Sequence, residues 1–304
     1  MAWLVCGTIP DASFPLFHGT GRCDPEAGLL HLEELNPLPV QRGSATLVAA
    51  AFLAAECLHV PAPHVLLVGD TGDGAGSRKL YARLADMLGQ EKSGAGYAGL
   101  TFHYLFPELD GHNRVLAALE DCEPKPLLVA DAGFMYAAKM SGYAQSYDLF
   151  TPDVGELAFL ADEAAPHPLY TRGFLSAGEA DVPELAARAW RAGNAARNLL
   201  VKGHSDVLVS EGQIVARVSE PMVPALEAIG GTGDIVAGLV TALLHSGLPM
   251  QRACRAAARA ARRAGALAHP TPATQVAAIV PYLATALQQT LAKGEPAEEV
   301  HVQA

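Results

Sequence analysis

The chain alternates short, uninterrupted apolar runs with polar, glycine-bearing turns and longer alanine-rich stretches. The runs 64–68 (HVLLV), 127–130 (LLVA), 147–150 (YDLF) and 199–201 (LLV) are too short for helices. They lack the strict alternation of a half-exposed strand, so they predict strands buried on both faces, as in a parallel sheet. Residues 2–6 (AWLVC) fit a further strand, while 207–210 and 214–218, joined by Glu211-Gly212-Gln213, read as a β-hairpin. Helical patterns fall between these runs. Residues 44–57 predict a buried helix with Ser44 or Thr46 as N-cap, and further patterns cover 78–88 and 157–160. Residues 235–244 are apolar on nearly every side, so as a helix they would be buried, with Gly247 and Pro249 as the stop. Residues 251–268 form an alanine-rich helix whose Arg252, Arg255 and Arg259 share one face, read as solvated. A last helix over 275–291 precedes a frayed tail at 294–304. Strands interleaved with helices predict a three-layer α/β/α fold with a mostly parallel central sheet, as one domain over 1–304. Residues 1–43, rich in Gly, Pro and single charges, are expected to add a lid or edge elements.

Composition narrows the function classes. The 304 residues are 50% hydrophobic and 17% charged, ample for a large core. A formal charge of −11 argues against a nucleic-acid surface and against anionic membranes. It leaves room for nucleotides, because a local anion cradle works inside an acidic protein. Cys6, Cys23, Cys57, Cys122 and Cys254 are scattered without metal-ligand spacing and read as reduced thiols of a cytoplasmic protein. No secretory signal or membrane-spanning stretch is apparent.

The chemistry concentrates at Glu227-Ala-Ile-Gly230-Gly231-Thr232-Gly233-Asp234, directly before the apolar run. Such a turn is either a simple loop with an N-cap carboxylate or an anion site. The glycines permit close backbone approach, and the buried helix behind them would fix the turn. Free amides and the helix dipole would then hold an anion beside Asp234, poised to accept a proton, which is a phosphoryl-transfer arrangement. The expected strands also deliver Asp70, Asp131, Asp153 and Lys202 just past their carboxyl ends, where open parallel sheets bind ligands. The 69–77 loop (GDTGDGAGS) fits neither a Walker A loop nor a dinucleotide fingerprint. It reads as a flexible substrate-side loop or as a plain strand-to-helix turn. In the loop 165–173, His167 and Arg172 read as surface residues.

Gly230-Gly231-Thr232-Gly233-Asp234, with Thr151-Pro152-Asp153-Val154-Gly155-Glu156 and Val201-Lys202-Gly203 upstream, resembles the ribokinase-like superfamily. The doubled glycine and the Gly155-Glu156 pair look most like its NAD(P)H-hydrate dehydratase branch, and Val129-Ala130-Asp131-Ala132 resembles that branch's Asp-Ala-Asp-Ala strand end, with Gly133 replacing the second acid. The resemblance implies a ribokinase-like fold and nucleotide-dependent chemistry at a hydroxyl, with ATP or ADP and Mg2+. It assigns Asp234 as base; Gly231, Thr232 and Gly233 as anion hole; Lys202, Gly203 and Gly230 to the nucleotide; Asp70 and Asp131 to the substrate; and Glu156 with Asp153 to the metal. The implied substrate is hydrated NAD(P)H, phosphorylated and then eliminated. The alternatives are a sugar or vitamin kinase and a non-catalytic nucleotide-binding relative. A homo-oligomer is expected from the general frequency of such assemblies.

Overall fold

The computed structural model describes residues 1–90, 96–165, 178 and 181–292. His167, Arg172 and the 294–304 tail lie outside the described residues. The strands in chain order are β1 (Trp3–Ile9), β2 (Phe17–Gly19), β3 (Gly21–Asp24), β4 (Leu29–Leu32), β5 (Leu38–Pro39), β6 (His64–Gly69), β7 (Gly99–His103), β8 (Leu127–Ala130), β9 (Leu149–Phe150), β10 (Asn198–Val201), β11 (Asp206–Ser210) and β12 (Gln213–Val218). The helices are α1 (Ser44–Cys57), α2 (Ala75–Gln90), α3 (Leu109–Glu120), α4 (Gly133–Met140), α5 (Val154–Ala161), α6 (Val182–Arg191), α7 (Thr232–His245), α8 (Met250–Ala268) and α9 (Leu283–Ala292).

The main sheet runs β12-β11-β10-β9-β8-β7-β1-β6-β2. From β10 to β6 every pairing is parallel, while the β11–β12 hairpin and β2 make antiparallel edges. One sheet face packs under α1, α7, α8 and α9, with Val5, Leu67 and Val129 in that core. The other faces α2 to α6, with Leu4, Leu66 and Phe102. Alternate residues of β1 and β6 enter the two cores, so Leu4–Cys6 and Val65–Val68 are apolar in succession: both faces are covered.

Residues 1–43 depart from the expected lid or edge. Trp3–Ile9 is fully buried and pairs with both β6 and β7, placing it inside the sheet. Only β2 is an edge, and β3-β4-β5 form a separate small sheet. Neither expected N-cap serves α1, because Gly43 takes that position and Ser44 and Thr46 are buried inside the helix. Arg255 is buried rather than solvated. The 275–291 segment is broken into short 3-10 turns at Val276–Ala278 and Val280–Tyr282 before α9 begins, Pro281 falling in the second. Helix α7 lies directly on α1, where a Cβ on Gly238 would stand 2.3 Å from the Leu47 carbonyl oxygen. That contact fixes the turn at its N-terminus against the start of α1.

Candidate active site

The carboxyl ends of β7, β8, β9 and β10 open into a cavity of about 1050 Å³, closed from the other side by the 222–236 segment. Asp131, Asp153, Glu156, Lys202, Gly203 and the whole 230–234 turn line it. The structure therefore brings together all the sequence-predicted residues except one.

That exception is Asp70. Its carboxylate accepts from the Gly72, Gly74 and Ser77 amides at 2.9, 3.1 and 2.7 Å and from the Ser77 hydroxyl at 2.7 Å. Burial alone would raise its pKa, but these donors outweigh burial and hold the carboxyl below its ordinary range. Asp70 is spent on organising its own loop and does not line the cavity. The 69–77 segment is a strand-to-helix turn, and Asp70 lies outside the cavity that gathers the other predicted residues.

At the turn, Gly231 is the N-cap of α7, with a left-handed φ of 100°. The first helical bond runs from the Ile235 amide to the Gly231 carbonyl at 3.1 Å, so the amides of Thr232, Gly233 and Asp234 have no partner within the helix. Thr232 turns its hydroxyl back to the Ile229 carbonyl at 3.1 Å and steadies the approach. A Cβ on Gly231 would lie 3.0 Å from Val276 Cγ1 in addition to its conformational strain. Gly231→Ala is therefore expected to cost about 1–2 kcal/mol and to weaken phosphate binding at the turn. Thermal unfolding together with nucleotide titration checks this, and a variant that matches the wild type in both would remove the anion turn from the site.

Asp234 is 7% exposed. Its Oδ1 lies 3.0 Å from His103 Nε2, and its Oδ2 accepts from the Gly43 amide. Burial would raise its pKa, but the His103 contact, the charge of Lys202 and the Gly43 bond outweigh that and hold the carboxyl below its ordinary value. Lys202 Nζ donates to Asp131 Oδ1 and Oδ2 at 2.8 and 3.0 Å and passes over Gly233, where a Cβ would lie 3.3 Å from Nζ. Burial opposes the ammonium charge, but Asp131 and Glu156 outweigh it and lift the lysine above its usual range. Asp131 Oδ1 also accepts from the Ala132 amide at 2.8 Å. Ala132 and Tyr104, at the ends of β8 and β7, both have φ of 52°, backbone strain concentrated at the cavity rim.

Glu156 and Asp153 form a capping box at the start of α5. The Glu156 amide donates to Asp153 Oδ1 at 2.7 Å and the Asp153 amide to Glu156 Oε2 at 2.8 Å. Tyr136 donates its hydroxyl to Glu156 Oε1 at 3.1 Å. Desolvation by the surrounding protein pushes the Glu156 carboxyl up to about 8; Lys202 opposes the shift and Asp131 and Asp153 add to it. Folded-state protons are then held over the window from the ordinary 4.5 to about 8, so the ionised Glu156 lowers stability as pH rises through it. Glu156→Gln should therefore unfold at the same or a higher temperature than wild type at pH 8, while losing any stabilisation by magnesium. A melting series with and without magnesium reads both effects, and equal magnesium stabilisation of both proteins would remove Glu156 from the metal site.

Arg262 and His103 are the residues that sequence reasoning missed. Arg262 Nε pairs with Asp206 Oδ2 at 2.8 Å, and its terminal nitrogens donate to the Ser219 and Gly203 carbonyls at 3.1 and 2.9 Å. The Gly203 amide in turn donates to Asp206 Oδ1 at 3.2 Å, so a buried ion pair holds the Lys202-Gly203 turn open to the cavity. Arg262 follows the Arg252, Arg255 and Arg259 series, and the hydrophobic strip around it was the available signal. His103 closes β7, a strand the hydropathy pattern did not reveal because Gly99, Thr101 and His103 interrupt it. His103, Asp131 and Asp234 offer atoms within 4.8 Å of one another, but the Lys202 ammonium already neutralises Asp131 there.

A family model described as NAD(P)H-hydrate dehydratase matches residues 109–289, which hold the capping box, the Lys202-Gly203 turn and the glycine turn. The chain belongs to the NAD(P)H-hydrate dehydratase family. It is a ribokinase-like enzyme of the nucleotide-dependent kind. An uncharacterized protein of Methanocaldococcus jannaschii is 35% identical over 228 residues, covering 75% of this chain and 92% of that one. A ribokinase-like superfamily protein of Enterococcus faecalis superposes with a TM-score of 0.55 at 13% identity over 95% of this chain and 87% of its own. Pyridoxal kinase of Staphylococcus aureus, in complex with pyridoxal, gives 0.51 at 14% identity and 86% of each chain. Phosphofructokinase-2 of Escherichia coli, in complex with fructose-6-phosphate, gives 0.51 at 16% identity over 94% of this chain and 99% of its own. At these identities the structural likenesses show the ribokinase-like fold. Among the described residues no helix of this dehydratase-family chain is long and apolar enough to cross a membrane.

Proposed function

We propose that the chain repairs hydrated NADH or NADPH, using ATP or ADP to phosphorylate the ring hydroxyl and then eliminating phosphate. The observation that carries this reading is the ionised, buried Asp234 beside the α7 N-terminal amides that have no partner within the helix, in a cavity of a size that holds a nucleotide and a second substrate. Asp234 takes the hydroxyl proton as that oxygen bonds the terminal phosphoryl of the nucleotide, whose bridging P–O bond breaks. The amides of the Gly231–Asp234 turn and the Lys202 ammonium meet the charge on the transferring group. In the second stage the ring C–O bond breaks, phosphate departs and a neighbouring ring proton is lost, restoring the dihydronicotinamide.

The Glu156 and Asp153 oxygens suit magnesium: they are hard donors on the cavity wall. Glu156 and Asp153 would hold the ion, which would supply neutralisation for the nucleotide phosphates. Gly203, Leu226 and Ile279 offer the nucleotide a mixed backbone and apolar wall.

A kinase that releases its phosphorylated product shares the first stage. The observation behind this second reading is Gly133. It replaces the branch's second acid, so no side chain at that position can contact an acceptor, and a Cβ there would lie 2.8 Å from the Leu105 carbonyl oxygen. The test is hydrated NADH with magnesium and either ATP or ADP, followed by the absorbance of regenerated NADH. Nucleotide-dependent growth of signal supports repair. Absence of signal while sugars or vitamins are phosphorylated moves the function to the kinase; nucleotide binding with no transfer to any acceptor leaves a non-catalytic relative.

A further inference from the structure

Beside the proposed base lies a buried polar chain that the phosphoryl-transfer scheme does not use. Ser44 Oγ is 2.9 Å from His103 Nδ1, and His103 Nε2 is 3.0 Å from Asp234 Oδ1. Ser44 is 1% exposed and His103 0% exposed. These three residues come from the first turn of α1, the last residue of β7 and the first turn of α7. The sheet is built around the contact. Gly7 of β1 is the register partner of His103, and a Cβ on Gly7 would stand 2.5 Å from Ser44 Oγ. A glycine inside a fully buried central strand is unfavourable by itself, and here its missing side chain is the space that Ser44 occupies.

We propose that Ser44 and His103 are positioning residues that fix one histidine tautomer and thereby keep Asp234 ionised and correctly aimed. The inference rests on the reading of Asp234 as the base. A serine hydroxyl can donate to Nδ1, whereas a carboxylate can only accept, so the neutral ring satisfies both neighbours in one form alone: Nδ1 accepts from Ser44 and Nε2–H donates to Asp234. The opposite tautomer would turn a lone pair toward the carboxylate. With His103 on Oδ1 and the Gly43 amide on Oδ2, the remaining lone pairs of Asp234 are left for the substrate proton. Gly43 directly precedes Ser44, so the start of α1 carries both devices that orient the base.

The other groups facing this pair are few. Asp131 Oδ2 lies 3.9 Å from His103 Nε2, with its charge countered by Lys202, which also acts on Asp234. Tyr104 packs edge-on against the His103 ring at 4.4 Å between centroids. Its phenol is pushed up to about 12, by burial first and then by Asp234, Asp131 and Glu156, so it stays neutral.

Two readouts on the 304-residue chain test the proposal. Imidazole nitrogen NMR at neutral pH should show His103 protonated at Nε2 in wild type, and this signature should be lost or mixed in Ser44→Ala. In the nucleotide-dependent assay, the acid limb of the turnover–pH profile should move to higher pH in Ser44→Ala and His103→Phe. Turnover at pH 7 should fall roughly 10-fold or more, the size of a general-base contribution partly lost, with the KM for nucleotide little changed. His103→Gln, which keeps an N–H donor, should recover much of the loss. Gly7→Ala, whose Cβ would press on Ser44 and on the His103 carbonyl oxygen but not on Asp234, should shift the profile in the same direction as Ser44→Ala. An Nδ1-protonated His103 in wild type overturns the proposal, as does an unmoved acid limb in Ser44→Ala, which is the mildest change if His103→Phe fails to fold. Full activity of Asp234→Asn would instead overturn the base assignment, while the NMR result would still report the tautomer.

Discussion

Asp234→Asn should reduce turnover by roughly 10³-fold with nucleotide affinity changed only a few-fold. The substitution keeps shape and burial but removes the only acceptor of the substrate proton in the scheme. An amide can still accept from His103 through its oxygen. Its NH2 group then faces the Gly43 amide, donor against donor, where the carboxylate had accepted. Loss of that buried bond should cost about 1–3 kcal/mol, visible as a lower melting temperature at neutral pH. The pH dependence follows from the depressed pKa. A carboxyl held below its ordinary 3.8 contributes stability that is complete above that value and is lost as pH falls through its folded value. Acid unfolding of wild type should therefore show a loss that the Asn variant lacks. Single-turnover kinetics with bound nucleotide give the decisive reading: an Asn variant that transfers phosphoryl at the wild-type rate removes Asp234 from the chemistry.

The largest stability effect is expected at Lys202. Its ammonium is bidentate to Asp131, whose side chain is 2% exposed, and it shares the charge of Glu156. Lys202→Met leaves Asp131 buried without its counterion, which should cost about 3–5 kcal/mol and lower the melting temperature by roughly 10 °C. On the proposed function nucleotide affinity should fall as well, because the ammonium lies across Gly233 of the glycine turn. Replacing both partners, Lys202→Met with Asp131→Leu, should restore much of the stability and none of the affinity, since a buried pair removed whole leaves no orphan charge. A single Lys202→Met variant that melts with wild type would mean that Asp131 finds another donor. Equal recovery of affinity in the double variant would exclude the lysine from phosphate binding.

Both predictions concern groups delivered to one place by different segments, and this separates what was legible from what was not. The strands β6, β8 and β10 were readable because burial on both faces leaves unbroken apolar runs at Val65–Val68, Leu127–Ala130 and Leu199–Val201. Helix α7 was readable for the same reason, and the glycine turn before it because a left-handed N-cap at Gly231 demands that residue. Strand β7 escaped because its Thr101 and His103 face buried partners, Thr241 and Asp234, that no local pattern records. Asp70 was ambiguous in the sequence because an acid past a strand end looks alike whether it faces a ligand or its own loop.

The sequence by itself determined the alternation of buried strands and helices, the anion-turn composition, and the order in which Asp131, Glu156, Lys202 and Asp234 follow one another. Those are properties of single segments, set by burial on both faces and by backbone conformations that only glycine adopts freely. The tertiary structure alone decided which charges are paired, that β1 lies within the sheet, and that Ser44 and His103 meet Asp234. Those are properties of contacts across 59 and 131 residues of chain, and they arise because helix crossing at Gly238 and strand register at Gly7 bring distant atoms within hydrogen-bond reach.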